Sequence, residues 1–517
     1  MTATLLRGGR VLVGTQVRAA DLVIADDLVA YAGPAGSSPP VDRVVELDGA
    51  VVLPAFVDGH VHATDTGLVL TGLDLSGVRS KADLLDAVER RTRVLHGRPV
   101  LGHGWDETSW AVRDVPTAAE LDRASYGSLV YLSRVDVHSA LASSPLMLAV
   151  RGLDGLDGYD ADGWLRREAH HAVREAALGS LTTSQRAEAQ AHLLRHAASL
   201  GIGSVHEMNG PQIGGFDDAR QLLSLVAEGG LPEVVLYWGQ LAADGGLDAV
   251  RELGAHGAGG DLFVDGAIGS RTACLRLPYA DAPGTHGALY HSADAIAEHL
   301  AACTEAGVQA GFHVIGDAAM DAVVRGLRLA ADTVGHARVR AARHRLEHAE
   351  MLDLDQIAAL ASLGVVASVQ PAFDAAWGGT TGMYVDRLGP HRGPALNPFA
   401  TMAAAGVPLV LGSDSPVTPL DPWGAVRAAV HHRTAGHALG LAAAFDAHTR
   451  AGHAAVGDTA SGRLEVGAPA TYAVWTADFD SIGWPDLSTG AASPTCQRTV
   501  VRGATVHDSG QLEEVAA

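Results

Sequence analysis

Eight short apolar runs, separated by stretches with helical spacing or long polar connections, constrain the fold of this 517-residue chain more than any other feature. They occupy residues 50–62, 201–207, 233–239, 261–266, 308–317, 343–350, 364–371 and 407–414. Segments such as LDQIAALASLG (354–364) and ADAIAEHLAACTEAG (293–307) carry apolar residues at helical spacing and end on glycine, a common helix stop. Eight strand–helix repeats predict a closed parallel barrel of the (β/α)8 TIM type, whose chemistry sits at the C-terminal ends of the strands. An open doubly wound sheet is the alternative, but no GxGxxG follows the first strand.

The two ends of the chain read differently. Residues 1–52 and 460–517 alternate short apolar runs with glycine turns, the pattern of antiparallel strands, and predict one small β-sandwich-like domain assembled from both termini. Residues 53–459 then form the barrel, and 72–198 an insertion after its first strand. That insertion is too long for a plain loop and is expected to cap the barrel mouth. The first residues carry Arg7 and Arg10 inside their apolar stretch and read as a strand, not a signal peptide. No run approaches the ~20 apolar residues of a membrane helix. Cys274, Cys303 and Cys496 are far apart and show no CxxC spacing, which fits a reducing cytoplasm. The formal charge of -22 argues against a nucleic-acid or anionic-membrane partner and leaves a small-molecule substrate. A homodimer stays open as the assembly.

Histidines at strand ends carry the chemistry. His60 and His62 flank Val61, so on an extended strand both imidazoles point to one face. His313 (GFHVIGD), His348 (RLEHAE) and Asp414 (LGSDSP) fall at the ends of the fifth, sixth and eighth runs. Four histidines and a carboxylate suit Zn, Fe or Mn better than Ca or Mg. His348 has a second reading, as a catalytic residue that hydrogen-bonds the substrate.

The segments LPAFVDGHVH, DGAIGSRTA, FHVIGDAAMDAV, HRLEHAE and LGSDSPV, taken in order, resemble the signature segments of the amidohydrolase superfamily. Within it they are most similar to the amidohydrolase-3 branch, with its YtcJ-like proteins and N-substituted formamide deformylases. The resemblance spans almost the whole chain, and GHGWDE and VDVHSALASS extend it into the insertion. It implies a (β/α)8 barrel with a terminal β-sandwich-like domain, metal ligation by His60, His62, His313 and His348, and Asp414 as general base at the metal. It further implies hydrolysis of a C–N bond in an amide, N-formyl or cyclic amide compound, with one or two divalent ions, zinc foremost.

One departure stands out. The branch usually carries a lysine two residues before the phenylalanine of its strand-four DG motif, carbamylated to bridge two metals. Here that position is Asp261, and the only lysine, Lys81, lies in the insertion. A carbamylated bridge is therefore not expected. Asp261 becomes a candidate ligand, with Glu207 as the other carboxylate able to compensate, and a site with one tightly held metal is favoured. On the substrate side, Trp105, Asp106 and His138 resemble pocket-facing branch residues, and Arg271 is a candidate partner for a substrate carboxylate or carbonyl. The same barrel also suits a metal-dependent isomerase, deaminase or decarboxylase, or a catalytically silent binding module. A serine hydrolase is disfavoured, since no GxSxG elbow is present.

Overall fold

The computed structural model describes residues 3–107, 110–135, 139–480, 483–488 and 490–517. Its central sheet has eight parallel strands in sequence order: Phe56–Val61, Ile202–Asn209, Glu233–Trp238, Gly257–Ala258, Gln309–Val314, Arg345–His348, Val366–Val369 and Leu409–Leu411. Strands one, two and five are buried at every position, which is why they read as continuous apolar runs and not as alternating ones. The sheet closes on itself: the Asp414 N–H donates to the His60 carbonyl at 2.8 Å, and Val61 bridges Ser415. The expected (β/α)8 barrel is therefore present.

The intervening helices start and stop as the sequence dictates. Ala293–Ala306 ends at Gly307, whose φ of 68° is left-handed. Leu354–Leu363 opens on a capping box, in which Asp353 accepts from the Gln356 N–H and the Gln356 side chain accepts from the Asp353 N–H.

Both termini contribute to a small two-sheet domain. One five-stranded sheet combines Ala3–Arg7, Asp21–Ala25, Leu28–Gly33 and Arg43–Glu46 with Glu513–Ala516. A six-stranded sheet combines Arg10–Val13, Gln16–Ala19 and Val51–Pro54 with Tyr472–Thr476, Thr495–Val501 and Ala504–Asp508. Leu6 and Leu22 from the first and Val52, Val474 and Val500 from the second share one buried core, as in a β-sandwich. Residues Ala63–Leu193 form a separate compact unit around a five-stranded sheet, with its own cores centred on Trp105, Leu121 and Leu132 and on Leu146, Leu165 and Val173. Among the described residues no helix is long and apolar enough to cross a membrane.

Strand four corrects the sequence reading. The run 261–266 alternates like a strand, but the ladder residues are Gly257 and Ala258, two positions only. The backbone leaves the sheet at Gly259 and Gly260. A Cβ on Gly259 would lie 2.3 Å from the Gly311 backbone, and Gly260 has a φ of +83°, so neither position accommodates an ordinary side chain. The chain then turns (Leu262 N–H to Gly260 O, 2.8 Å) and touches the sheet again where Phe263 bridges His313.

Candidate metal centre

Five of the residues singled out by the sequence converge at the C-terminal ends of the barrel strands. His60 Nε2 lies 3.3 Å from Asp414 Oδ1 and 3.5 Å from Asp261 Oδ1. His62 Nε2 lies 3.2 Å from Asp414 Oδ1 and 3.1 Å from Asp261 Oδ2, and His348 Nε2 is 3.8 Å from Asp261 Oδ1. Two overlapping sets have ligand atoms within 4.8 Å of one another: His60, His62 and Asp414, and His60, Asp261 and His348. The backbone excursion after strand four is what brings the short Asp261 side chain to this point.

The imidazoles are oriented from behind. His60 Nδ1 meets Glu347 Oε2 at 2.9 Å, His62 Nδ1 the Met208 carbonyl at 3.0 Å, and His348 Nδ1 the Gln370 Oε1 at 2.8 Å. Each partner is an acceptor, so in the neutral ring each Nδ1 carries the proton and each Nε2 presents a lone pair to the centre. Phe373 stacks on the His348 ring, with centroids 6.0 Å apart and planes 10° apart. His348 and Asp414 both hold left-handed backbone conformations, with φ of 70° and 54°. Non-glycine residues seldom adopt these, and such strain concentrates at functional sites.

Behind His60 runs a buried charged network. Glu347 accepts from Arg345 Nε at 2.6 Å; Arg345 Nη1 meets His206 Nδ1 at 2.8 Å, and Nη2 donates to Ser368 Oγ at 2.9 Å and to the Gly59 carbonyl. Arg345 and Glu347 have no exposed side-chain surface. Burial alone would raise the Glu347 pKa, but Arg345 and His60 pull it down to about 2, so the carboxylate is ionised.

The electrostatics call for positive charge at the centre. Burial pushes the His60 and His62 imidazoles toward neutrality, yet Asp261 and Asp414 more than offset it, lifting His60 well above its ordinary value and His62 to about 10. Both aspartates are correspondingly held below the ordinary carboxylate range, against the opposing effect of burial, by the neighbouring imidazoles. His60 Nε2 and Asp261 Oδ1 are nevertheless buried without a hydrogen-bond partner. Buried nitrogen and oxygen donor atoms that crowd one point in this way fit a divalent cation.

The remaining candidates divide. His313 sits beside His348, ring centroids 4.4 Å apart, and its buried Nδ1 is unpaired, but it belongs to neither close set. Burial, reinforced by His348, pushes its pKa down to about 3. Glu207 is buried on strand two, 3.4 Å from Asn209 Nδ2, and is also in neither set. Trp105 is not a pocket wall: it is fully buried in the core of the Ala63–Leu193 unit, its indole N–H donating to the Leu132 carbonyl at 2.9 Å. Asp106 pairs with Arg134 at 2.8 Å. Arg271 is not available to a substrate carboxylate as expected, because Asp281 takes it in a two-point salt bridge at 3.0 and 2.6 Å. His138 lies outside the described residues.

Sequence reasoning missed Glu347, Arg345 and Gln370. A signal for the first two was present: an arginine and a glutamate two apart within a buried parallel strand must share a face and neutralise each other inside the barrel. It also missed Asp265, whose carboxylate accepts from the N–H groups of Cys274, Ile315 and Gly316 at 2.8–2.9 Å and so ties the loop after Asp261 to the end of strand five.

The sequence and fold have relatives among known proteins. A family model described as Amidohydrolase family matches residues 43–507. The chain is 28% identical to YtcJ of Bacillus subtilis (strain 168), itself assigned only provisionally as an amidohydrolase, over 76% of this chain and 75% of that one. It is 24% identical to the N-substituted formamide deformylase of Arthrobacter pascens, over 82% and 80%. A solved structure of an uncharacterized metal-dependent hydrolase from Pyrococcus furiosus superposes with a TM-score of 0.75 at 27% identity, covering 91% of this chain and 98% of that one. The chain belongs to the amidohydrolase family.

Proposed function

We propose that this protein is a metal-dependent hydrolase that cleaves a C–N bond in a small amide, N-formyl or cyclic amide compound. The observation that carries the reading is the meeting of three oriented Nε2 atoms with two carboxylates at the C-terminal mouth of the barrel. His60, His62, His348 and Asp261 would hold one zinc-like ion, and His313, beside His348 but outside both close sets, would be a further donor on the strand-five side. A divalent ion held there would make water acidic near neutral pH and would polarise a carbonyl. Asp414 then accepts the proton of the attacking water and delivers it to the leaving nitrogen, which would otherwise depart as an unstable anion. Its place between His60 and His62 keeps it ionised, as a base must be.

Resemblance to the formamide deformylase supports an N-formyl or amide substrate. The test is hydrolysis of simple amides, N-alkylformamides and cyclic amides by protein loaded with Zn, Mn or Fe. Activity is expected to vanish on chelation and to return with metal. Undiminished turnover by a chelated, metal-free sample overturns the reading.

A further inference from the structure

A cavity of about 510 Å³ opens beside Asp261, walled by residues that follow strands two, three and four. This is within the usual range for small-ligand pockets, ~300–1,000 Å³. Ile213, Leu241 and Phe263 supply apolar wall, and Asp244 and Asp261 supply two carboxylates. Asp261 is buried, and its Oδ1 lacks a hydrogen-bond partner. No arginine or lysine lines the cavity among the described residues. His291 adds no fixed positive charge, since burial lowers its pKa. The Gln240 amide is already committed, accepting from Trp238 Nε1 at 2.7 Å and donating to the Asp244 carbonyl at 2.6 Å. Arg271, the residue best suited by type to recognise a carboxylate, is held by Asp281.

We propose that this cavity seats the non-reacting portion of the substrate and selects neutral or cationic groups over carboxylates. The proposal rests on the hydrolase reading above, because its Asp261 end is the candidate metal centre. An anionic group beside Asp244 would lose hydration with no lysine or arginine of the lining to receive it, whereas an ammonium there would gain from Asp244. Asp244 is exposed at the end of a short helical turn, so its replacement leaves the barrel core untouched.

A matched series tests this: N-pentylformamide, N-(5-aminopentyl)formamide and 6-formamidohexanoic acid, which differ only at the far end. Binding to the zinc-loaded protein is measured by calorimetry and turnover separately. The neutral and amino compounds are expected to bind at least ~10-fold more tightly than the acid, and Asp244→Lys to reverse the order of the amino compound and the acid. Equal or tighter binding of the acid by the wild type overturns the proposal. So does failure of all three to bind, or an Asp244→Lys variant with an unchanged ratio. The expected binding order without turnover supports the cavity assignment and counts against formamide hydrolysis alone.

Discussion

The two walls of the candidate centre are built in different ways. On one, the end of strand one is tied through its backbone to the segment that follows strand eight, by an isolated bridge between Val61 and Ser415, and this fixes His60, His62 and Asp414. The Asp414 N–H bonds the His60 carbonyl, the His62 N–H bonds the Ser415 carbonyl at 3.0 Å, and Asp58 accepts from the N–H groups of both Ser413 and His60. On the other, strand four lasts two residues, and Asp261 arrives on a glycine-dependent excursion. Paired backbone sets where His60 and His62 lie whatever their identity, and Asp414 joins them through a left-handed φ of 54° just past the strand. The excursion brings in a particular side chain, a short carboxylate in this chain, by bending the backbone to suit it.

This contrast separates two jobs. Under the proposed function Asp414, on the regular wall, would be the proton carrier, and Asp261, on the irregular wall, a ligand. Asp414→Asn is therefore expected to lower kcat by ~10²–10⁴-fold while metal content stays near the wild-type level. Asp261→Asn is expected to weaken metal retention first, with a smaller loss of kcat at saturating metal. Metal analysis beside steady-state kinetics reads both. Identical profiles for the two variants would erase the distinction.

A smaller effect is expected one step behind the regular wall. Glu347→Gln keeps an oxygen for His60 but removes the charge that holds Arg345, so metal Kd should rise ~10–100-fold. The buried guanidinium left behind also lowers stability, by about 3–5 kcal/mol. The paired change Arg345→Met, Glu347→Gln removes both charges. It should recover much of the thermal stability without recovering metal affinity. Full recovery of both would mean that Glu347 does no more than neutralise Arg345.

The regular wall was legible in the sequence because its rule is local. Alternation along an extended strand put His60 and His62 on one face without any knowledge of their partners, and the strand-end positions of His348 and Asp414 follow from barrel geometry. The irregular wall was legible only in part. Asp261 stood out through what it replaces, but its alternating apolar neighbours mimic a strand, and the reason they are not one is the approach of Gly259 to Gly311, 52 positions along the chain. Arg271 and Trp105 were misread for a related cause. Whether an arginine is free or a tryptophan exposed depends on what packs around it, here Asp281 and the Leu132 carbonyl.

Acid should expose the same asymmetry at the outer side of the barrel, where one buried histidine braces each wall. His448 donates its Nδ1–H to the Val57 carbonyl on strand one at 2.8 Å. His299 donates its Nε2–H to the Ala258 carbonyl on strand four at 3.1 Å, while its Nδ1 accepts the Ala242 N–H at 2.9 Å. Burial pushes both down to about 4. Folded values below the unfolded value of about 6.5 mean that the native state refuses protons the unfolded chain accepts. The stabilisation is thus complete above pH 6.5 and is lost as pH falls toward 4, at roughly 1.4 kcal/mol per pH unit for each ring. The two protonations differ in what they break. His448 keeps its bond to Val57, whereas His299 loses the lone pair that receives the Ala242 amide. Hydrogen exchange between pH 6.5 and 4 should therefore show Ala242 losing protection while the Val57 amide, bonded to the His448 carbonyl at 2.9 Å, retains it. Loss at Val57 first, or at both together, would place the weaker brace on the regular wall and reverse the comparison.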